Sequence, residues 1–311
     1  MNFELSDDQK AILESVGALL VRHAGAERAI ALAAKAEYDG ALEAALADAG
    51  FFGLAVEADT GPLEAALLVE ASARAGAVAA VGARALVAPQ VVAGGELAGP
   101  VALAVAGRDV PVRFAAHARH ALVLDGDVAR RVELGPGDVA PVRSSFGFPM
   151  GRIAAAALAG GESLGAGSGE RLRRWWRVAT AVETGGTLRA ALDVTLRYVR
   201  ERRQFGRAIG SFQGVQHRLA HADVQVEGVR WLALEAAGLD APEELSAVAA
   251  AHAAAAAKSV FDETHQFSGA MGFTREHDLH VWSMRLQALR LELGGVEAHR
   301  RAVAEARWPA S

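Results

Sequence analysis

The 311-residue sequence contains no cysteine. That excludes disulfide scaffolds, thiolate catalysis, zinc fingers and thiolate-bound iron–sulfur clusters. Lysine is nearly absent, occurring only at Lys10, Lys35 and Lys258 against plentiful arginine, a skew that fits a GC-rich coding sequence. No uncharged apolar run reaches the roughly 18 residues of a membrane helix. The opening Met1-Asn2-Phe3-Glu4-Leu5-Ser6-Asp7-Asp8 is acidic where a signal peptide needs positive charge, so the expectation is a soluble, cytoplasmic protein. The net charge is −5 and the pI about 6.1, without the basic surplus of a general nucleic-acid binder. With 52% hydrophobic and 22% charged residues, the chain has enough apolar surface for a sizeable core, and its length fits about two domains.

The pattern along the chain is helix, sheet, helix. In residues 1–98, Ser6-Asp7-Asp8-Gln9 reads as a capping box, followed by Ile12, Val16, Leu19 and Leu20 at helical spacing. Amphipathic segments follow near 26–50 and 63–78. Residues 99–165 carry short strand-like runs, Val101–Val105, His120–Leu124 and Arg131–Leu134, with turn chemistry at Asp125-Gly126-Asp127 and Gly135-Pro136-Gly137. They predict a small antiparallel β domain. Gly160–Gly169 reads as a hinge. Residues 166–311 predict a bundle of four long helices, with Ser211 capping the second and Thr274 the last, and the alanine run Ala249–Ala257 inside the third.

Two stretches carry the chemistry. In Tyr198-Val199-Arg200-Glu201-Arg202-Arg203-Gln204-Phe205-Gly206-Arg207, five arginines (with Arg197) surround one acid at a helix C-terminus. Cations suit that end of a helix dipole. A guanidinium, an aromatic ring and amides, with Gln213 on the next helix, would equally hold a dinucleotide. Both readings stand on these residues alone. The second stretch, His265-Gln266-Phe267-Ser268-Gly269-Ala270-Met271-Gly272-Phe273-Thr274-Arg275-Glu276-His277, places glycines in a tight helix-to-helix turn, where a ligand can approach the backbone.

Together these stretches resemble the R-x-Q-F-G…F-Q and Q-x-x-G-x-x-G-F-T-x-E-H signatures of the acyl-CoA dehydrogenase flavoproteins. Phe3-Glu4-Leu5-Ser6-Asp7-Asp8-Gln9 and Gly50-Phe51-Phe52-Gly53-Leu54 resemble that family's N-terminal motifs. The resemblance implies FAD as cofactor, an acyl-CoA substrate oxidised at its α and β carbons, and an electron-transfer acceptor. It implies that Arg202, Gln204, Phe205, Gln213, Gln266, Gly269 and Gly272 contact the adenine half of an FAD shared between subunits. No catalytic residue and no metal site is assigned. Leu293 stands where the family's base is counted, and Trp176 at the alternative base position on the first bundle helix. Glu292 is adjacent, but one residue on a helix turns a side chain by about 100°, enough to point it away. Glu183 matches a family glutamate without a catalytic role. The threonine-bearing segment and tryptophan-containing strand that meet the flavin ring are missing, as is P-E-x-x-G-G after Leu54. This pattern is similar to the short, base-deficient subunit of the α2β2 dehydrogenases of actinobacterial steroid side-chain catabolism, which implies a longer partner and a bulky acyl-CoA. A homo-oligomer with a relocated base, or a scaffold that has lost flavin chemistry, are the alternatives.

Other motifs weigh less. Gly161-Glu162-Ser163-Leu164-Gly165 matches a nucleophile elbow without the parallel sheet that an elbow needs. Gly165-Ala166-Gly167-Ser168-Gly169 lacks the dinucleotide-loop spacing. His217 and His221 read as surface histidines.

Overall fold

A computed structural model describes residues 4–94 and 97–308; Phe3 of the opening motif lies outside the described residues. The chain begins with α1 (Asp7–His23), α2 (Ala26–Lys35), α3 (Gly40–Asp48) and α4 (Pro62–Arg74), then a π-helical segment, Gly82–Val87, that runs into the short α5 (Ala88–Val91). The capping box at Ser6 is formed. Its hydroxyl accepts from the Gln9 amide at 3.1 Å, and the Gln9 side chain accepts from the Ser6 amide at 3.0 Å.

The middle holds β1 (Val101–Val105), β2 (Val112–Arg113), β3 (His120–Asp125), β4 (Val128–Glu133), β5 (Val139–Val142), β6 (Met150–Ile153), α6 (Ala155–Ala159) and β7 (Glu162–Ala166). One sheet runs β1-β3-β4-β7 and a second β2-β6-β5. The β1–β3 pair is parallel, where an antiparallel unit is expected from the sequence. The crossover through β2 and a 3-10 turn, Ala115–His117, supplies the length that a parallel return needs. Strand periodicity assigns the two faces. Ala102, Ala104, Ala121 and Val123 meet the second sheet, with Val112 and Ile153. Val101, Leu103, Leu122 and Leu124 face the helices. Because Val112 faces the inter-sheet core, its neighbour Arg113 is aimed at the helices.

Gly160–Gly169 is no hinge: it contains β7, paired with β4. Gly161 and Gly169 serve close packing. A Cβ on Gly161 would lie 2.4 Å from the Arg131 carbonyl oxygen, and one on Gly169 2.5 Å from Asp127 backbone. Ser163 is exposed within this antiparallel strand rather than at a strand-to-helix elbow.

The bundle comprises α7 (Ser168–Glu201), α8 (Gln213–Gly238), α9 (Glu243–Ser268) and a fourth limb broken into α10 (Leu279–Leu289) and α11 (Gly295–Arg307). The break falls at Glu292–Gly294, where Leu293 adopts φ 51° and Gly294 φ 94°. Neither anticipated cap forms. The Ser211 hydroxyl donates to the Ala208 carbonyl and Phe212 precedes α8. The Thr274 hydroxyl donates to the Met271 carbonyl, four residues before the Asp278 cap position of α10. Small residues let the helices approach: Ala249, Ala253, Ala256 and Ala257 of α9 are buried together with Leu188 and Leu192 of α7. Each fully buried leucine contributes about 1.5–3 kcal/mol through removal from water. A smaller cluster, Ala29, Val78, Ala191, Val194, Leu279 and Trp282, fastens α2 to α7 and α10. Among the described residues, no helix is long and apolar enough to cross a membrane.

Candidate functional site

The α7 helix stops where Arg202 turns extended (φ −66°, ψ 119°), its amide still donating to the Tyr198 carbonyl at 2.8 Å. The chain then forms a two-residue hairpin, β8 (Arg203–Gln204) and β9 (Arg207–Ala208). Phe205 and Gly206 form its tip, both at positive φ (53° and 80°), as such a turn demands. Glycine is at ease there. Phenylalanine is not, and Phe205 is also 91% exposed. An apolar ring held out by a strained turn marks a contact surface. Its ring meets Phe212 edge-on at 6.2 Å, and the Arg207 guanidinium lies 4.0 Å over Phe212. The side chains of Arg202, Arg203 and Gln204 are exposed and have no partner among the described residues, so their donors are free for a ligand. Gln213, exposed at the start of α8, stands just beyond.

The second motif lies at the same end of the bundle. Arg218 of α8 pairs with Glu263 of α9 at 2.9 Å and lies 4.8 Å over the Phe267 ring, which sets Gln213 and Gln266 at neighbouring helix ends. Gln266 and Gly269 are exposed, and a Cβ on Gly269 (φ 56°) would meet nothing within 4 Å. Gly272 is different. It is buried, and a Cβ there would fall 2.9 Å from that of Ser268, so its small size serves packing inside the turn.

The two counted base positions converge in the interior. Trp176 of α7 and Leu293 of the α10–α11 break line one cavity of about 320 Å³ between the sheet and the bundle. Glu292 lines it too, and it is not turned away as helical geometry implies. The chain is a kinked 3-10 turn there, and the carboxylate points inward. It accepts from Trp176 Nε1 at 3.0 Å and pairs with Arg113 Nε at 2.7 Å. The same guanidinium reaches Glu183 through Nη1 at 2.7 Å. Burial works against the Arg113 charge, but Glu183 and Glu292 outweigh it and hold the guanidinium above its ordinary pKa. Arg113 lines this cavity as well, and on its other sides are two spaces of about 20 Å³ each, room for a water and nothing larger. Arg113 carries no signal in the sequence. It stands on a two-residue strand and finds its partners 70 and 179 residues away.

The histidines of α8 are exposed, His221 beside Gln225 at 2.8 Å.

Residues 170–307 match the model of the acyl-CoA dehydrogenase C-terminal domain. Acyl-CoA dehydrogenase FadE34 of Mycobacterium tuberculosis is 35% identical over 134 residues, 41% of this chain and 19% of that protein. The chain thus aligns with less than a fifth of that relative's length. Among solved structures, the ChsE4-ChsE5 complex from Mycobacterium tuberculosis superposes over 100% of both chains with TM-score 0.79 at 20% identity. The Tcur3481-Tcur3483 steroid ACAD G363A variant covers 97% of this chain and 98% of its own, with TM-score 0.78 at 23% identity. The chain has the acyl-CoA dehydrogenase fold, and the sequence match to that family's C-terminal domain spans residues 170–307.

Proposed function

We propose that the chain is a subunit of an FAD-dependent acyl-CoA dehydrogenase, an oxidoreductase acting on the CH–CH bond of an acyl-CoA thioester. In this reading it contributes the adenine side of a shared FAD site, and a longer partner subunit supplies the flavin-ring contacts and the base. The observation that carries it is the convergence of Trp176 and Leu293 on one cavity whose nearest acid, Glu292, is bound by Arg113 and Trp176. Both of its oxygens are already engaged, one by the Arg113 guanidinium and one by the Trp176 indole N–H.

The residues present fit the adenine end of FAD. Arg202 offers an unpaired guanidinium to a diphosphate, Phe205 an exposed ring for stacking, and Gln204, Gln213 and Gln266 free amides. Gly269 leaves its backbone open to approach. When bound, FAD would supply the acceptor for the hydride leaving the β carbon, with an electron-transfer partner as its oxidant.

The heteromeric and steroid readings draw support from the neighbours, one a ChsE4-ChsE5 complex and one a steroid ACAD. In this reading the protein acts in steroid or other lipid catabolism in the cytoplasm, with a bulky acyl-CoA as substrate. Glu292 facing the cavity favours a second reading, a homo-oligomer with Glu292 as relocated base. Replacing Arg202 tests the cofactor assignment. Arg202→Ala removes a charge-assisted bond of about 1.5–3 kcal/mol and weakens flavin binding roughly 10- to 150-fold, with the helical fold intact. Unchanged flavin content in the purified complex refutes the assignment.

A further inference from the structure

A second cavity, of about 310 Å³, lies on the inner side of the turn after α9, bounded by α2, the β5–β6 loop and α10. Its walls are apolar, with Ile30, Phe261, Phe273, Val281 and Met284. Its polar lining is Ser144, Ser145, His265, Thr274, Arg275, His280 and Arg285, and no aspartate or glutamate reaches it.

Arg285 is the unusual element. It is 2% exposed, and no carboxylate among the described residues lies within ion-pair distance of it. Its Nη1 donates to the Ala77 carbonyl at 2.9 Å, and its guanidinium lies 5.1 Å over the Phe148 ring. Its Nε is buried without any partner. That nitrogen would lie 3.4 Å from a Cβ on Gly147, which also lines the cavity; at 147 (φ +74°) the loop lays no side chain against this edge. Burial draws the Arg285 pKa down to about 10; Glu183, which lines a water-sized space with it but is paired to Arg113, supports the charge, and Arg113 opposes it. His265 stands across the same cavity, 7% exposed, with both ring nitrogens unpartnered between the Phe261 and Phe273 rings. A buried cation without a directly bonded counter-charge is costly, and so is each unpaired buried donor.

We propose that this cavity binds a small organic anion, a carboxylate carried on a compact apolar body, with Arg285 as its counter-charge. The carboxylate satisfies the free Nε, the serine hydroxyls and His265 stand within the same enclosure, and the apolar walls take the body. At about 310 Å³ the cavity sits at the small end of ligand sites. The proposal does not rest on the flavin reading: Gly272 borders both places, but Arg285 and His265 are not among the adenine-side residues, and Gln266 and Gly269 are exposed and do not line the cavity.

Calorimetric titration of the full-length protein, in the assembly in which it purifies, with benzoate, phenylacetate and butyrate tests it. The expected result is saturable binding of at least one of them, one per chain, weakened at least 30-fold in Arg285→Met and less than tenfold in Arg285→Lys. Ser145→Glu supplies the missing carboxylate from the protein itself. It should raise the melting temperature of the ligand-free protein and abolish carboxylate binding, and it needs no loss of Arg285. Flavin content, read in parallel, should stay at the wild-type level in every variant. Absence of saturable binding of all three compounds by the wild type overturns the proposal. So does binding undiminished in Ser145→Glu, or flavin lost together with Arg285.

Discussion

Replacing Arg113 by methionine should be among the most damaging single changes in the middle of the chain. The side chains of Arg113, Glu183 and Glu292 are 11%, 14% and 15% exposed, so water does little to screen them. Removing the cation leaves two carboxylates facing each other, and breaking a buried pair by removing one partner costs about 3–5 kcal/mol. The guanidinium also lies 5.1 Å over Phe148, a contact of about 0.5–1 kcal/mol. Arg113→Met should therefore lower unfolding free energy by about 4 kcal/mol, read as a fall in denaturant midpoint at constant slope. Replacing all three, Arg113→Met with Glu183→Leu and Glu292→Leu, should recover most of that loss, because an apolar set of similar volume carries no desolvation cost. Fluorescence-detected unfolding in urea, with Trp176 beside the cluster as a local probe, measures both. A loss under about 1 kcal/mol in the single variant, or a triple variant no better than the single, would refute the reasoning.

Glu292→Gln keeps an acceptor for Trp176 Nε1 and removes the charge, so turnover of the flavin-loaded complex should change only a few-fold; a collapse by orders of magnitude with flavin and assembly retained makes Glu292 the base. His299, buried on α11, is pushed down to about 4 by burial and by Arg177. Its folded pKa lies below the unfolded value near 6.5, so its contribution is complete above pH ~6.5 and is lost as pH falls toward 4, about 3 kcal/mol in all. Stability against pH for wild type and His299→Leu checks this. The variant should lose a matching part of the slope between pH 6.5 and 4, and parallel curves contradict it.

What the sequence reveals follows from how local each feature is. The cap at Ser6 needs only Gln9 three residues on, and the strands announce themselves by alternation, so both can be read directly. The hairpin tip Phe205-Gly206 is likewise local. Glycine misleads at 160–169 because one residue type serves flexibility and close approach alike, and only the third dimension brings Arg131 and Asp127 beside Gly161 and Gly169. Glu292 misleads because a rotation per residue holds only on a helix, and the chain kinks at Leu293. Arg113 and Arg285 cannot be found from spacing at all. Each matters through partners, or the lack of them, on elements far away in the chain.

The central claim is that this subunit holds one side of a cofactor site and lacks the base. Flavin-to-protein ratio and acyl-CoA oxidation, measured on the chain expressed alone and co-expressed with a longer acyl-CoA dehydrogenase homologue, test it most directly. The account predicts little flavin and no turnover from the lone chain, and an active heterotetramer carrying two FAD rather than four. One FAD per chain with robust turnover from a homo-oligomer would contradict it.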